Sequence, residues 1–173
     1  MIDFKFGVSL STIEANHLDQ MRKWRNTKSI WRWCRQIDLI NHDDHMRWFK
    51  SLDDRNRMYS IISRDNRFLG VCGLTNIDEV CRRAEISLYI GPEHHRCGHA
   101  ENGLKTLLKH GFENLNLNLI FGEMMDGNPA LRLFKKLGMK IEGVRRSFYY
   151  KDGNYIDAIL LSIKRDEYEC NRF

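Results

Sequence analysis

Hydrophobic spacing divides the chain into a helical first third and a strand-rich remainder. Phe4 to Leu10 reads as an opening strand. Leu18, Met21 and Arg25 then follow helical spacing, as do Ile30, Trp33, Cys34 and Ile37. Asn41 is expected to cap a helix with Asp43 and Asp44 in its first turn and Met46, Phe49 and Leu52 on its apolar stripe. After Asp54 the period changes. Met58–Ser63 and Phe68–Leu74, separated by Arg64-Asp65-Asn66-Arg67, predict a hairpin. Ala84, Ile86, Leu88 and Ile90 alternate with Glu85, Ser87 and Tyr89 and predict a third strand. Leu104, Leu107, Leu108, Phe112 and Leu115 form the stripe of a helix from Gly98 to about Asn114. The strand pattern resumes at Leu115 and runs towards Met124. Asn128-Pro129 opens a further helix, Gly138 stops it, and two last strands flank the Lys151-Asp152-Gly153-Asn154 turn. No repeat or linker interrupts this order, so residues 1–173 are expected to form one mixed α/β domain, helical over 1–55 and strand-rich over 56–166.

Composition narrows the function classes. Of 173 residues, 42% are hydrophobic and two are prolines, which argues against a large disordered region. No run of about 20 apolar residues exists to span a membrane, and Met1–Leu10 lacks a basic segment followed by an apolar one, so a cytoplasmic protein is expected. The five cysteines contain no C-x-x-C pair, which favours reduced thiols and no metal site. The net charge of +5 favours an anionic ligand, although a solvated basic face accounts for it equally. Six basic residues between Arg22 and Arg35 are interleaved with Trp24, Trp31 and Trp33.

The informative junction runs from Tyr89 to Ala100, where a strand ends, a loop with small residues follows and an amphipathic helix begins. Small residues let main-chain N–H groups approach a phosphate, and a helix N-terminus carries about half a positive charge. Three segments then combine. His95-x-x-Gly98-x-Ala100 is similar to the [Q/R]-x-x-G-x-[G/A] pattern of the GNAT superfamily of acetyl-CoA-dependent N-acyltransferases. Asn128–Met139 resembles that family's N-x-x-A-x-x-L-Y-E-K-x-G-F. Glu142-Gly143 with Asp152-Gly153-x-Tyr155-x-Asp157 resembles the closing hairpin of its ribosomal-protein and polyamine branch. The resemblance covers about Tyr59 to Ile163. It implies a central, mostly antiparallel, splayed sheet flanked by helices, with acetyl-CoA as co-substrate. The departures are His95 for Gln or Arg, an Asn128–Phe134 spacing shorter by one residue, and Phe134 in place of the usual tyrosine acid.

The resemblance assigns cofactor contacts to Leu88, Tyr89, Ile90, His95, Arg96, Cys97, Gly98, His99, Ala100 and Asn128, with residues 56–166 as the acetyl-CoA-binding core and 1–55 on the acceptor side. Acetyl transfer needs a neutral amine, and a primary ammonium has a pKa near 10, so a base helps at neutral pH. Glu85 is the first candidate base, with a solvent-facing or arginine-paired glutamate near Arg82 and Arg83 as the alternative, and His45 is the second, with simple packing beside Met46 and Trp48 as the alternative. Tyr89, Tyr149, Tyr150 and Tyr155 are alternative proton donors to Phe134. Trp24-Arg25-Asn26 resembles acetyltransferases acting on nucleotide-linked amino sugars, in which aromatic faces and arginines would hold the nucleotide. The expected acceptor is therefore a nucleotide-linked amino sugar. A ribosomal-protein N-terminus, a polyamine, or a non-catalytic acyl-CoA-binding module are the alternatives. No membrane or nucleic-acid partner is expected, and a homodimer is left open.

Overall fold

The structure is a computed structural model that describes residues 2 and 6–170. One seven-stranded sheet forms the centre: β1 (Val8–Thr12), β2 (Arg57–Ser63), β3 (Phe68–Asp78), β4 (Arg83–Ile90), β5 (Leu119–Met125), β6 (Lys140–Lys151) and β7 (Asn154–Lys164). Spatial order is β1-β2-β3-β4-β5-β7-β6. Every neighbouring pair is antiparallel except β4 and β5. That parallel pair is joined through α4 (His99–Lys109), because a parallel connection must cross over a face of the sheet.

Alternation along β4 assigns its two faces. Ala84, Ile86 and Ile90 share a core with Leu104, Leu107 and Leu108 of α4. The approach is close: a Cβ on Gly103 would stand 2.8 Å from Ile61 Cδ1, so a larger residue there would have to push the Ile61 side chain aside. The opposite face carries a smaller core of Ile13, Leu18, Met21 and Val71, against which Tyr89 packs. Leu18 and Met21 come from α1 (Leu18–Arg25). Beside it lies α3 (His42–Lys50), whose cap Asn41 accepts the Asp44 N–H as its sequence predicts. The period of two therefore puts Glu85 and Tyr89 on the α1–α3 side. It puts Glu123 there also, because its neighbours Gly122 and Met124 bracket it and Met124 belongs to the α4-side core.

Several expectations are corrected. Phe4, the expected start of the first strand, lies outside the described residues, and β1 extends to Thr12. Helical spacing from Ile30 to Ile37 predicts one helix, yet α2 (Lys28–Trp31) stops after one turn and Ile37 is exposed. The segment Leu115–Asn118 turns before β5 begins, with Asn116 at φ 53° and the Leu117 N–H bonded to the Gly111 carbonyl. Two short helices complete the chain, α5 (Leu131–Lys136) and the unexpected α6 (Arg165–Cys170).

Candidate active site

Strands β4 and β5 are in register only at Arg83↔Leu119, Ala84↔Ile120 and Glu85↔Phe121. Beyond Glu85 they part. Gly122 marks the fork, where a Cβ would meet Ile86 Cγ2 at 3.2 Å. The opening wedge is a cavity of about 490 Å³ walled by Ile86–Tyr89 on one side and Gly122–Met125 on the other, with Phe134 and Leu161 also lining it. Main-chain groups along those two edges have no ladder partner across the wedge. Such an edge can offer an N–H to a ligand carbonyl, the arrangement that stabilises charge developing on an acyl oxygen.

Two carboxylates project into this cavity, Glu85 from β4 and Glu123 from β5, with side chains only 15% and 11% exposed. One guanidinium, Arg35, bridges them. Its Nη2 lies 2.5 Å from Glu85 Oε1 and 3.6 Å from Glu123 Oε1. Each glutamate has further partners. Asn76, at φ 51° in the irregular end of β3, donates from Nδ2 to Glu85 Oε2 at 2.9 Å. Arg145 Nη1 donates to Glu123 Oε2 at 2.5 Å. A bulge in β6 between Arg145 and Tyr149 turns the Tyr149 hydroxyl onto Glu123 as a donor. Burial and that carboxylate, opposed by Arg35, push the Tyr149 hydroxyl up to about 12. It is protonated at neutral pH.

The loop beyond β4 is shaped by two left-handed residues, Arg96 at φ 62° and Gly98 at φ 78°. Gly98 caps α4 without any side-chain hydrogen bond, and a Cβ there would have no atom within 4 Å. A helix start with open space at its cap is suited to an anionic group such as a diphosphate. The loop at 96–100 and the wedge between the strands thus lie at the same end of β4. His95 serves the loop itself, since its Nε2 lies 2.9 Å from the Ile90 carbonyl. Cys97 Sγ reaches the His95 carbonyl at 3.4 Å, and His99 stands edge-on to His94.

The remaining expected residues fall in several places. Leu88, Tyr89, Asn128 and Phe134 line the wedge, whereas Ile90 is buried in the core and Ala100 packs against it. Asn128 Oδ1 accepts the Ala130 N–H at 2.9 Å and so shapes the start of α5. The Tyr89 hydroxyl is buried with no hydrogen-bond partner among the described residues, and burial pushes its pKa up. Tyr150 and Tyr155 are exposed and pack on one another. His45 lies in a neighbouring cavity of about 250 Å³, stacked on Trp48, and burial followed by Arg25 and Arg22 pushes its pKa down. Of the Trp24-Arg25-Asn26 segment, Arg25 alone reaches the cavities. Trp24 is buried and donates from Nε1 to both oxygens of Glu93, at 2.9 and 3.0 Å. Asn26 pairs with the main chain of Ile40 through both its side-chain atoms. Reasoning from sequence missed Arg35, Asn76 and Glu123. A signal for Glu123 existed: it is the one charged residue in the apolar strand LIFGEMM.

Comparison with known proteins gives a consistent result. The family model described as an acetyltransferase (GNAT) domain matches residues 8–140. An uncharacterised N-acetyltransferase, p20 of Bacillus licheniformis, is 32% identical over 114 residues, which span 65% of this chain and 64% of that relative. Spermidine N(1)-acetyltransferase of Escherichia coli K12 is 26% identical over 169 residues, spanning 94% of this chain and 88% of the relative. The crystal structure of spermidine N-acetyltransferase from Vibrio cholerae in complex with CoA and spermine superposes with a TM-score of 0.89 at 23% identity. That match covers 94% of this chain and 98% of the other, and shows the shared fold.

Proposed function

The chain belongs to the GNAT family and is an acetyl-CoA-dependent N-acetyltransferase, and from that premise we propose that its acceptor is an aliphatic primary amine of the polyamine type. The observation that carries this reading is the pair of shielded carboxylates, Glu85 and Glu123, which already hold a cation between them at 2.5 and 3.6 Å. A primary ammonium presents three N–H donors to such a pair. The named relative spanning most of this chain acts on spermidine, which agrees. The nucleotide-linked amino sugar has less support, because the indole of Trp24 is interior and bonded to Glu93, leaving no Trp24 face on which a base could stack.

In this reading acetyl-CoA supplies the thioester, and the chain's own residues do the rest. The loop at Arg96–Ala100 receives the phosphates. Main-chain N–H groups of Leu88–Ile90 polarise the acyl carbonyl. Residues 1–55 form the acceptor side. Glu85 takes the proton from the ammonium so that a neutral nitrogen attacks. Phe134 cannot donate a proton to the departing sulfur, but a thiol with a pKa near 8.5 leaves without an acid. The test is a substrate panel: spermidine, a nucleotide-linked amino sugar and a peptide with a free N-terminus, each with acetyl-CoA, read by thiol release and product mass. Spermidine should give the highest kcat/KM. Preference for the sugar or the peptide would overturn the proposal.

A further inference from the structure

Arg35 occupies the position that an acceptor ammonium would need. The mainchain that carries it is held on both sides. Lys151 Nζ donates to the carbonyls of Trp31 and Cys34, each at 2.6 Å, and of Gln36 at 2.9 Å. The Gln36 side chain in turn accepts two N–H groups from Arg25. The peptide units flanking Arg35 are therefore fixed, whereas its own side chain is 57% exposed. Solvent access lets that side chain leave without opening the core. The carboxylates it would release keep other partners, Asn76 on Glu85, and Arg145 and Tyr149 on Glu123.

Resting on the amine-acceptor reading above, we infer that Arg35 is a resident cation that competes with the acceptor ammonium for Glu85 and Glu123, and so sets the enzyme's affinity for amines according to their charge. The exchange is charge-neutral at the carboxylates: one cation leaves as another enters. A second ammonium on the acceptor meets Arg25, which lines the same cavity, and also Arg35 where it lingers at the rim. Polycations accordingly suffer more from Arg35 than monoamines do. This is a specificity role and not a structural one, since the Arg35 guanidinium contacts the Glu85 and Glu123 carboxylates and no main-chain group among the described residues.

The test compares wild type with Arg35→Gln and Arg35→Lys, using n-propylamine, 1,3-diaminopropane and spermidine. Arg35→Gln should lower KM for spermidine about tenfold, equivalent to about 1.4 kcal/mol, and lower KM for n-propylamine less, with kcat within about twofold of wild type. Arg35→Lys keeps a cation on the same segment and should lower the spermidine KM less than Arg35→Gln does. An unchanged or raised spermidine KM in Arg35→Gln, with wild type turning the amine over, overturns the competition while leaving the acceptor reading intact. Absence of both turnover and calorimetric binding of every amine, in all three proteins, overturns the acceptor reading and the competition with it.

Discussion

Lys151 offers the sharpest test of how the acceptor side is assembled. Its side chain is almost completely buried, donates to three carbonyls between Trp31 and Gln36, and carries its ammonium 4.1 Å from the centroid of the Trp31 ring. Lys151→Met preserves the apolar stem and deletes the cation. A hydrogen bond to a charged group contributes about 1.5–3 kcal/mol net. Three of them do not simply add, because burying an ammonium costs several kcal/mol. Burial pulls the Lys151 pKa below its ordinary value, which is that cost showing itself. The three carbonyls belong to half-buried residues at the end of α2 and just beyond it, and can regain water once the ammonium is gone. A net loss of about 2–3 kcal/mol is expected, and at about 2–4 °C per kcal/mol for a chain of this size the melting temperature should fall by about 4–12 °C. Because the clasp sets the approach of Arg35 to Glu85, the amine KM should change as well. Acetyl-CoA affinity should stay within about threefold, since the loop at 91–98 is not among the groups it holds. Thermal melts, amine kinetics and acetyl-CoA titration check the three parts. A melting temperature within about 1 °C of wild type, with an unchanged amine KM, would refute the reasoning.

Three further outcomes follow from the same geometry. Gly98→Glu meets no clash at its Cβ, costs about 1–3 kcal/mol for its left-handed backbone, and places an anion in the loop proposed to receive the diphosphate. The stabilisation of about 2.7 kcal/mol expected from acetyl-CoA at 100 times its Kd should vanish, and a normal thermal shift would mean that the phosphate loop is misplaced. Phe134→Tyr adds a hydroxyl inside the wedge and should raise kcat by about threefold to tenfold, short of the 10²–10⁴ of a full general acid because the thiol already leaves well. A lower kcat in a stable variant would show that thiolate departure is not limiting. Burial holds His17, His45, His99 and His110 below their ordinary 6.5, so the unfolded chain binds more protons near that pH. The stability they confer is complete above about pH 6.5 and is lost as pH falls through their folded values, so the melting temperature should drop between pH 7.5 and 5.5. A flat profile over that interval contradicts this.

What could be read from sequence is what local chemistry determines. The Asn41 cap, the β2–β3 and β6–β7 hairpins and the stripe of α4 depend on residues within a few positions of one another. The failures share a different cause. The helical spacing through Ile37 is overridden because Lys151, 115 to 120 residues away, takes the carbonyls of Trp31, Cys34 and Gln36. The strand pattern from Leu115 yields to Arg165, whose Nη2 donates to the carbonyls of Phe112 and Leu117. Neither partner leaves a mark on the segment it reshapes. The site divides in the same way. Alternation alone placed Glu85 opposite Ile86 and Leu88, whereas the gathering of Arg35, Asn76 and Glu123 around it required the splay of β4 from β5 and two irregular strand segments.

The central claim is that Glu85, at the fork of the wedge, receives and deprotonates an aliphatic amine while the loop at 96–100 holds acetyl-CoA. The most direct measurement is the pair of values for Glu85→Gln relative to wild type: kcat/KM for spermidine acetylation and Kd for acetyl-CoA. A general base is typically worth 10²–10⁴, so a fall of at least about 100-fold in kcat/KM is expected, with an acetyl-CoA Kd changed by less than about threefold. Turnover by Glu85→Gln within a few-fold of wild type would contradict it.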